Sequence, residues 1–173
     1  MLEALIFVVF PFCMVFAAVS DMLSMTIANR VPAILVATFA VAAPLTGMEW
    51  TAYGLHFAAA FAVLAVTFGL FAIGAMGGGD AKLLAATSLW MGFSIVLLQY
   101  LVLAAFLGGM LTLAILSFRG SNLALFTGHN IFLRHFANAK AGIPYGIALG
   151  IGGLVTYPES PLMIWALGRL ADQ

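Results

Sequence analysis

Two stretches of this chain carry no charged side chain: thirty residues from Trp50 to Gly79 and thirty-six from Leu83 to Phe118. Soluble domains place a charge at about one residue in four. Here 7% of residues are charged and 65% are hydrophobic, which is more apolar surface than a soluble fold of 173 residues can bury. In a bilayer, only helices and closed barrels satisfy their own backbone polar groups. Barrel strands alternate apolar and polar residues over about ten positions, whereas these runs are continuous. The expected fold is all-α: a polytopic membrane helical bundle forming one domain, 1–173.

A helical span takes about 20 mainly apolar residues. Six segments meet that requirement, at about 3–20, 31–47, 52–74, 81–97, 98–118 and 142–158. As one helix, Leu83–Phe118 would reach about 54 Å at 1.5 Å per residue, against a hydrocarbon core of about 30 Å. The chain should therefore fold back near Met91-Gly92-Phe93-Ser94. With six spans, Arg30, Lys82, Arg119, Arg134 and Lys140 share one side, and Arg169 alone lies on the other. The positive-inside rule makes the first side cytoplasmic, with both termini outside. Ala18-Val19-Ser20 looks like a signal-peptide cleavage site, but Glu3 stands where a basic n-region is required, so the first span is read as retained. The tail Leu162–Leu170 is too short to cross, and should lie at the outer surface or fold back.

Net charge is zero with no basic run, which gives nucleic acid nothing to bind. The single cysteine, Cys13, excludes an intrachain disulfide and a Cys-x-x-Cys zinc site. No metal or cofactor is expected. His129 and His135 are six apart, a poor spacing for a shared metal on one helix face. They lie in 119–141, where Leu125, Phe126, Phe132, Leu133 and Phe136 recur at roughly helical spacing. Gly128 interrupts this pattern. The segment reads as an interfacial amphipathic helix, able to guide a substrate.

Four of the six acids (Glu3, Glu49, Glu159 and Asp172) lie near the termini or outer ends and read as solvated. Asp21 follows the first span and Asp80 follows the third. Two crossings separate them, so both emerge on the same, cytoplasmic, side. A carboxylate at membrane depth is costly, about 2.5–3.5 kcal/mol on insertion scales, and is a functional candidate by default. Two carboxylates at hydrogen-bond range share a proton. One then takes a proton from water while the other donates to a scissile carbonyl. The bland alternative is two ordinary helix-end acids. Against it stands Gly77-Gly78-Gly79, which gives Asp80 a backbone open to close approach.

These residues resemble the GxGD intramembrane aspartyl proteases, and within them the prepilin peptidases (type IV leader peptidases). Gly77-Gly78-Gly79-Asp80-Ala81-Lys82 fits GxGDxK, and Asp21 stands at the family's first aspartate. Ile27-Ala28-Asn29 is similar to Ile-Pro-Asn, with alanine for proline. Pro144-Tyr145-Gly146 is similar to the family's Pro-Tyr/Phe-Gly. The resemblance implies a dyad of Asp21 and Asp80, an active-site loop of Gly77, Gly78, Gly79 and Lys82, and support from Asn29, Pro144, Tyr145 and Gly146. It implies a bacterial inner-membrane enzyme, active toward the cytoplasm, that removes charged leaders from prepilin or pseudopilin substrates beside pilus-assembly machinery. The chain starts at the first core span and has one cysteine. It is therefore similar to the short, peptidase-only form of Flp/Tad pili, without an N-terminal methyltransferase-type domain.

Lys82 has two readings, a bias on the dyad or a snorkelling interfacial lysine. Pro144 fits an ordinary helix start, and Gly108-Gly109 a close-packing contact. The rival functions are a small ion- or proton-coupled transporter or channel and a silent pilus-assembly protein. A transporter places its ionisable groups near the midplane, and both acids here fall at span ends.

Overall fold

A computed structural model describes residues 1–121 and 142–171. The amphipathic pattern of 122–141, with His129, His135, Arg134 and Lys140, lies outside the described residues, as does Asp172. Among the described residues seven α-helices run in order: α1 (Leu2–Ser24), α2 (Arg30–Leu45), α3 (Trp50–Ala72), α4 (Gly78–Met91), α5 (Ile95–Arg119), α6 (Tyr145–Thr156) and α7 (Pro161–Ala171). A 3-10 turn, Tyr157–Glu159, joins the last two. The fold is a helical membrane bundle. Helices α1, α3 and α5 are long and apolar enough to cross a bilayer, and the pair α6–α7, bent by 47°, would make a fourth crossing.

Segments 31–47 and 81–97 become the shorter helices α2 and α4. The fourth helix ends at Met91 rather than at 97. Gly92 has φ +63°, a left-handed conformation that favours glycine, and the Ser94 hydroxyl accepts the Leu97 N–H to start α5. At 14 residues, α4 is about 21 Å long. It lies inside the bundle, buried from Leu83 to Met91, so packing against its neighbours rather than bilayer thickness sets its length. Its hydroxyls turn back on its own backbone, Thr87 to the Leu83 carbonyl at 2.9 Å and Ser88 to that of Leu84 at 2.8 Å.

The far end of α4 is anchored by aromatic side chains. Trp90 Nε1 donates to the Leu35 carbonyl at 3.1 Å, and Tyr157 Oη donates to that of Ile6 at 2.7 Å. His56 Nδ1 lies 2.7 Å from the Leu89 carbonyl. Phe10 stacks on Tyr157 with ring centroids 4.0 Å apart. Burying these polar tips without partners would cost about 1–3 kcal/mol each. The tail does not lie apart: α7 folds back and buries Leu162 and Ala166. On α6, Gly150 lets α1 come close, since a β-carbon there would sit 2.9 Å from the Met14 carbonyl oxygen. This tight α1–α6 seam fixes the position of Asp21.

Candidate active site

Asp21 lies inside α1, in its last turn, rather than after it. The helix runs on to Ser24 and stops where Met25 adopts φ +53° and returns its N–H to the Asp21 carbonyl at 2.8 Å. A methionine in that conformation is uncommon. Here a hydroxyl cluster holds the reversal: Ser20 Oγ donates to the Thr26 carbonyl at 2.9 Å, and the Ser24 and Thr26 hydroxyls meet at 2.8 Å. The turn drives Ile27, 8% exposed, beneath Gly79 and Gly146.

Pro144 precedes α6 rather than forming its first turn. With φ −74° and ψ 80° it makes an inverse γ-turn, in which Tyr145 donates its N–H to the Ile143 carbonyl at 2.8 Å. The next amide, Gly146, is one of the donors a helix start leaves unpaired. It donates to Asp21 Oδ2 at 2.7 Å. Asp21 is 5% exposed, so this bond supplies what water would otherwise give. A side chain at 146 would not fit, because its β-carbon would lie 2.9 Å from Asp21 Oδ2.

Asp80 is the third residue of α4, whose N-cap is Gly77. Its carboxylate reaches back to the Gly77 backbone N–H, as acidic residues at this position do. A β-carbon on Gly77 would lie 2.7 Å from Asp80 Oδ2. Gly79 needs to be small because Ile27 packs on it, and Gly78 because Phe71 does. Each acid thus rests on a helix N-terminus, where the backbone favours negative charge.

Both carboxylates line one cavity of about 750 Å³, with Met25, Thr112, Arg119 and Tyr145. A second cavity of about 300 Å³ holds the same acids between residues 25–27 and the glycine loop. Asp80 precedes the apolar stretch of α4 and lies outside the candidate crossings. Burial, reinforced by the Asp21 charge and opposed by the Gly77 N–H, pushes its carboxyl up to about 7. Among the described residues, no three His, Cys, Asp or Glu side chains converge on a metal position.

Lys82 and Asn29 stand away from this cavity. Lys82 Nζ donates to Asn29 Oδ1 at 2.9 Å, and both line a different, apolar groove. Tyr145 does reach the acids' cavity, and its hydroxyl donates to the Ala104 carbonyl at 3.3 Å. Its ring is seated on Gly108, where any β-carbon would collide with it. The close-packing contact at Gly108 is therefore the seat of a cavity residue. Sequence reasoning missed Arg119, which closes the cavity and donates to the Gly142 carbonyl at 3.0 Å. In the sequence it was only a loop charge after an apolar run, and no spacing tied it to the acids.

The model of a family described as the type IV leader peptidase family matches residues 8–117, a span that includes both aspartates. No curated protein and no solved structure matches this chain.

Proposed function

The chain belongs to the type IV leader peptidase family, and from that premise we infer that it is an aspartic endopeptidase acting through Asp21 and Asp80. The observation that carries this reading is the shared cavity, with both carboxylates on its wall. Burial, reinforced by the Asp21 charge, raises the Asp80 carboxyl, so the shared proton is assigned to Asp80, while Asp21 holds the Gly146 N–H. Asp21 takes a proton from a water as the water oxygen attacks the scissile carbonyl carbon. Asp80 donates its proton to the carbonyl oxygen. The tetrahedral gem-diol then collapses: the C–N bond breaks, the proton held on Asp21 passes to the leaving amine, and one diol hydroxyl returns its proton to Asp80 as the C=O bond re-forms. General acid–base help of this kind is worth about 10²–10⁴-fold at each partner.

The substrate is a prepilin-like protein of the Flp type, whose positively charged leader lies in the cytoplasm and is cut at the membrane edge. The six-crossing topology goes with this reading, with α2 and the part of α4 beyond Asp80 as short crossings and the cavity facing the cytoplasm of a bacterial inner membrane. The charge bias of the loops supports that orientation. The cavity lies at helix ends rather than mid-span, which favours edge cleavage over ion transport.

The test is reconstitution of the purified chain in liposomes with an Flp-type prepilin, with mass measurement of the products. A released leader ending at one defined bond is expected. Intact prepilin under conditions where the chain is folded would overturn the reading.

A further inference from the structure

An apolar groove of about 580 Å³ lies on the side of α4 away from the aspartates. Its floor is α4 from Lys82 to Leu89, about two helical turns or ~10 Å. Its walls come from α2 and α3, with Ala37 and Val36 on one side and Phe61 on the other. Val36 and Phe61 are 39% and 66% exposed. In a bundle of this composition they face hydrocarbon, so the groove opens sideways into the bilayer.

Only one end of the groove is polar. There Lys82 donates to Asn29 Oδ1 at 2.9 Å. That bond leaves two ammonium N–H groups and the two amide N–H groups of Asn29 as donors, with no acceptor built in. Arg30, the next residue, adds a second cation at the start of α2. Among the described residues the single ion pair is that of the terminal ammonium with Glu3, so neither Lys82 nor Arg30 has a carboxylate. The groove therefore asks for a molecule with a flexible apolar chain and an anionic head.

We propose that this groove is a binding site for one anionic phospholipid, its acyl chains along α4 and its phosphate on Lys82 and Asn29. A transmembrane peptide helix is a poorer fit. With its side chains it is about 10–12 Å across and carries an anion only where it has an acid. A lipid supplies both chemistries and surrounds the protein. The site stands apart from the cavity of Asp21 and Asp80, so it does not rest on the leader-peptidase reading.

The experiment uses the full chain in vesicles of phosphatidylcholine with a minor fraction of phosphatidylglycerol. Lipid retained after detergent extraction is counted by native mass spectrometry. One phosphatidylglycerol is expected to persist in preference to phosphatidylcholine. Lys82→Gln should weaken its retention about fivefold, the scale of one cation at a membrane surface. Ala37→Phe, which fills the groove from an exposed position, should lower retention of both lipids. Melting curves establish that each variant is folded. Equal retention of the two lipids, or phosphatidylglycerol retention unchanged in Lys82→Gln, would overturn the proposal. So would displacement of the lipid by an acidic transmembrane peptide at equimolar amounts, which would assign the groove to a peptide.

Discussion

The Gly146 amide donates to Asp21 Oδ2 at 2.7 Å across 125 positions of sequence. This bond ties the start of α6 to the end of α1, and it exists because position 146 has no side chain. Alanine there would put a β-carbon 2.9 Å from both Asp21 Oδ2 and Ile27 Cδ1. Gly146→Ala should therefore displace the carboxylate while leaving the helices formed. A shift of about 1 Å in a catalytic group costs about 10²-fold. Leader-cleavage rates read beside circular dichroism check this, with a large rate loss and little change in helicity expected.

Gly77→Ala tests the second acid independently. The backbone at 77 has φ −71°, which alanine accepts, so any effect comes from its β-carbon against Asp80 Oδ2. Cleavage should fall by about 10–100-fold. Gly54→Ala is the control, because a β-carbon at 54 meets nothing within 4 Å. It lies within α3, and it should leave activity intact and stabilise the helix by up to about 1 kcal/mol.

The raised Asp80 carboxyl sets a pH dependence. Its value moves from the ordinary 3.8 to about 7 in the fold, so between those values the folded protein binds the extra proton. Stability should fall as pH rises through that window. A shared-proton mechanism should lose activity above about pH 7 for the same reason. Asp80→Asn has no charge to bury, and at pH 8 it should be more stable than the wild type by on the order of 1 kcal/mol, allowing for partial exposure. Melting curves at pH 5 and pH 8 for both proteins measure the difference.

Trp90→Phe separates stability from chemistry. It keeps the aromatic packing with Phe10, Phe39 and Tyr157 but removes the indole N–H bond to the Leu35 carbonyl, which stays within helix α2. The expected cost of the lost bond is about 1 kcal/mol, read as a lower melting temperature. Trp90 closes the end of α4 remote from Asp80, so cleavage by the folded variant should be unchanged.

The helical bundle was legible because uncharged runs of this length allow no other class. The turn at Gly92 was legible because one helix there would be too long for a bilayer. Crossing parity leads to the expectation that Asp21 and Asp80 emerge on one side, and both residues line one cavity. Helix ends were harder to read. Hydropathy does not mark the extra turn of α1 through Asp21, which depends on the hydroxyl cluster of Ser20, Ser24 and Thr26. Nor does it mark the inverse γ-turn at Pro144 that aims the Gly146 N–H. Lys82, two residues from Asp80, reads as a neighbour in sequence. Two residues along a helix turn a side chain to roughly the opposite face, and Lys82 points to a different groove. Arg119 reaches the acids' cavity only through tertiary packing, which no local pattern encodes.

The most direct test is co-expression of the chain with an Flp-type prepilin, following leader removal by gel shift for the wild type, Asp21→Asn and Asp80→Asn. Both variants keep the shape of the side chain and remove its charge. The wild type should process the prepilin, and each single variant should lose at least about 10²-fold of that activity. Full processing by either variant would contradict the aspartate pair.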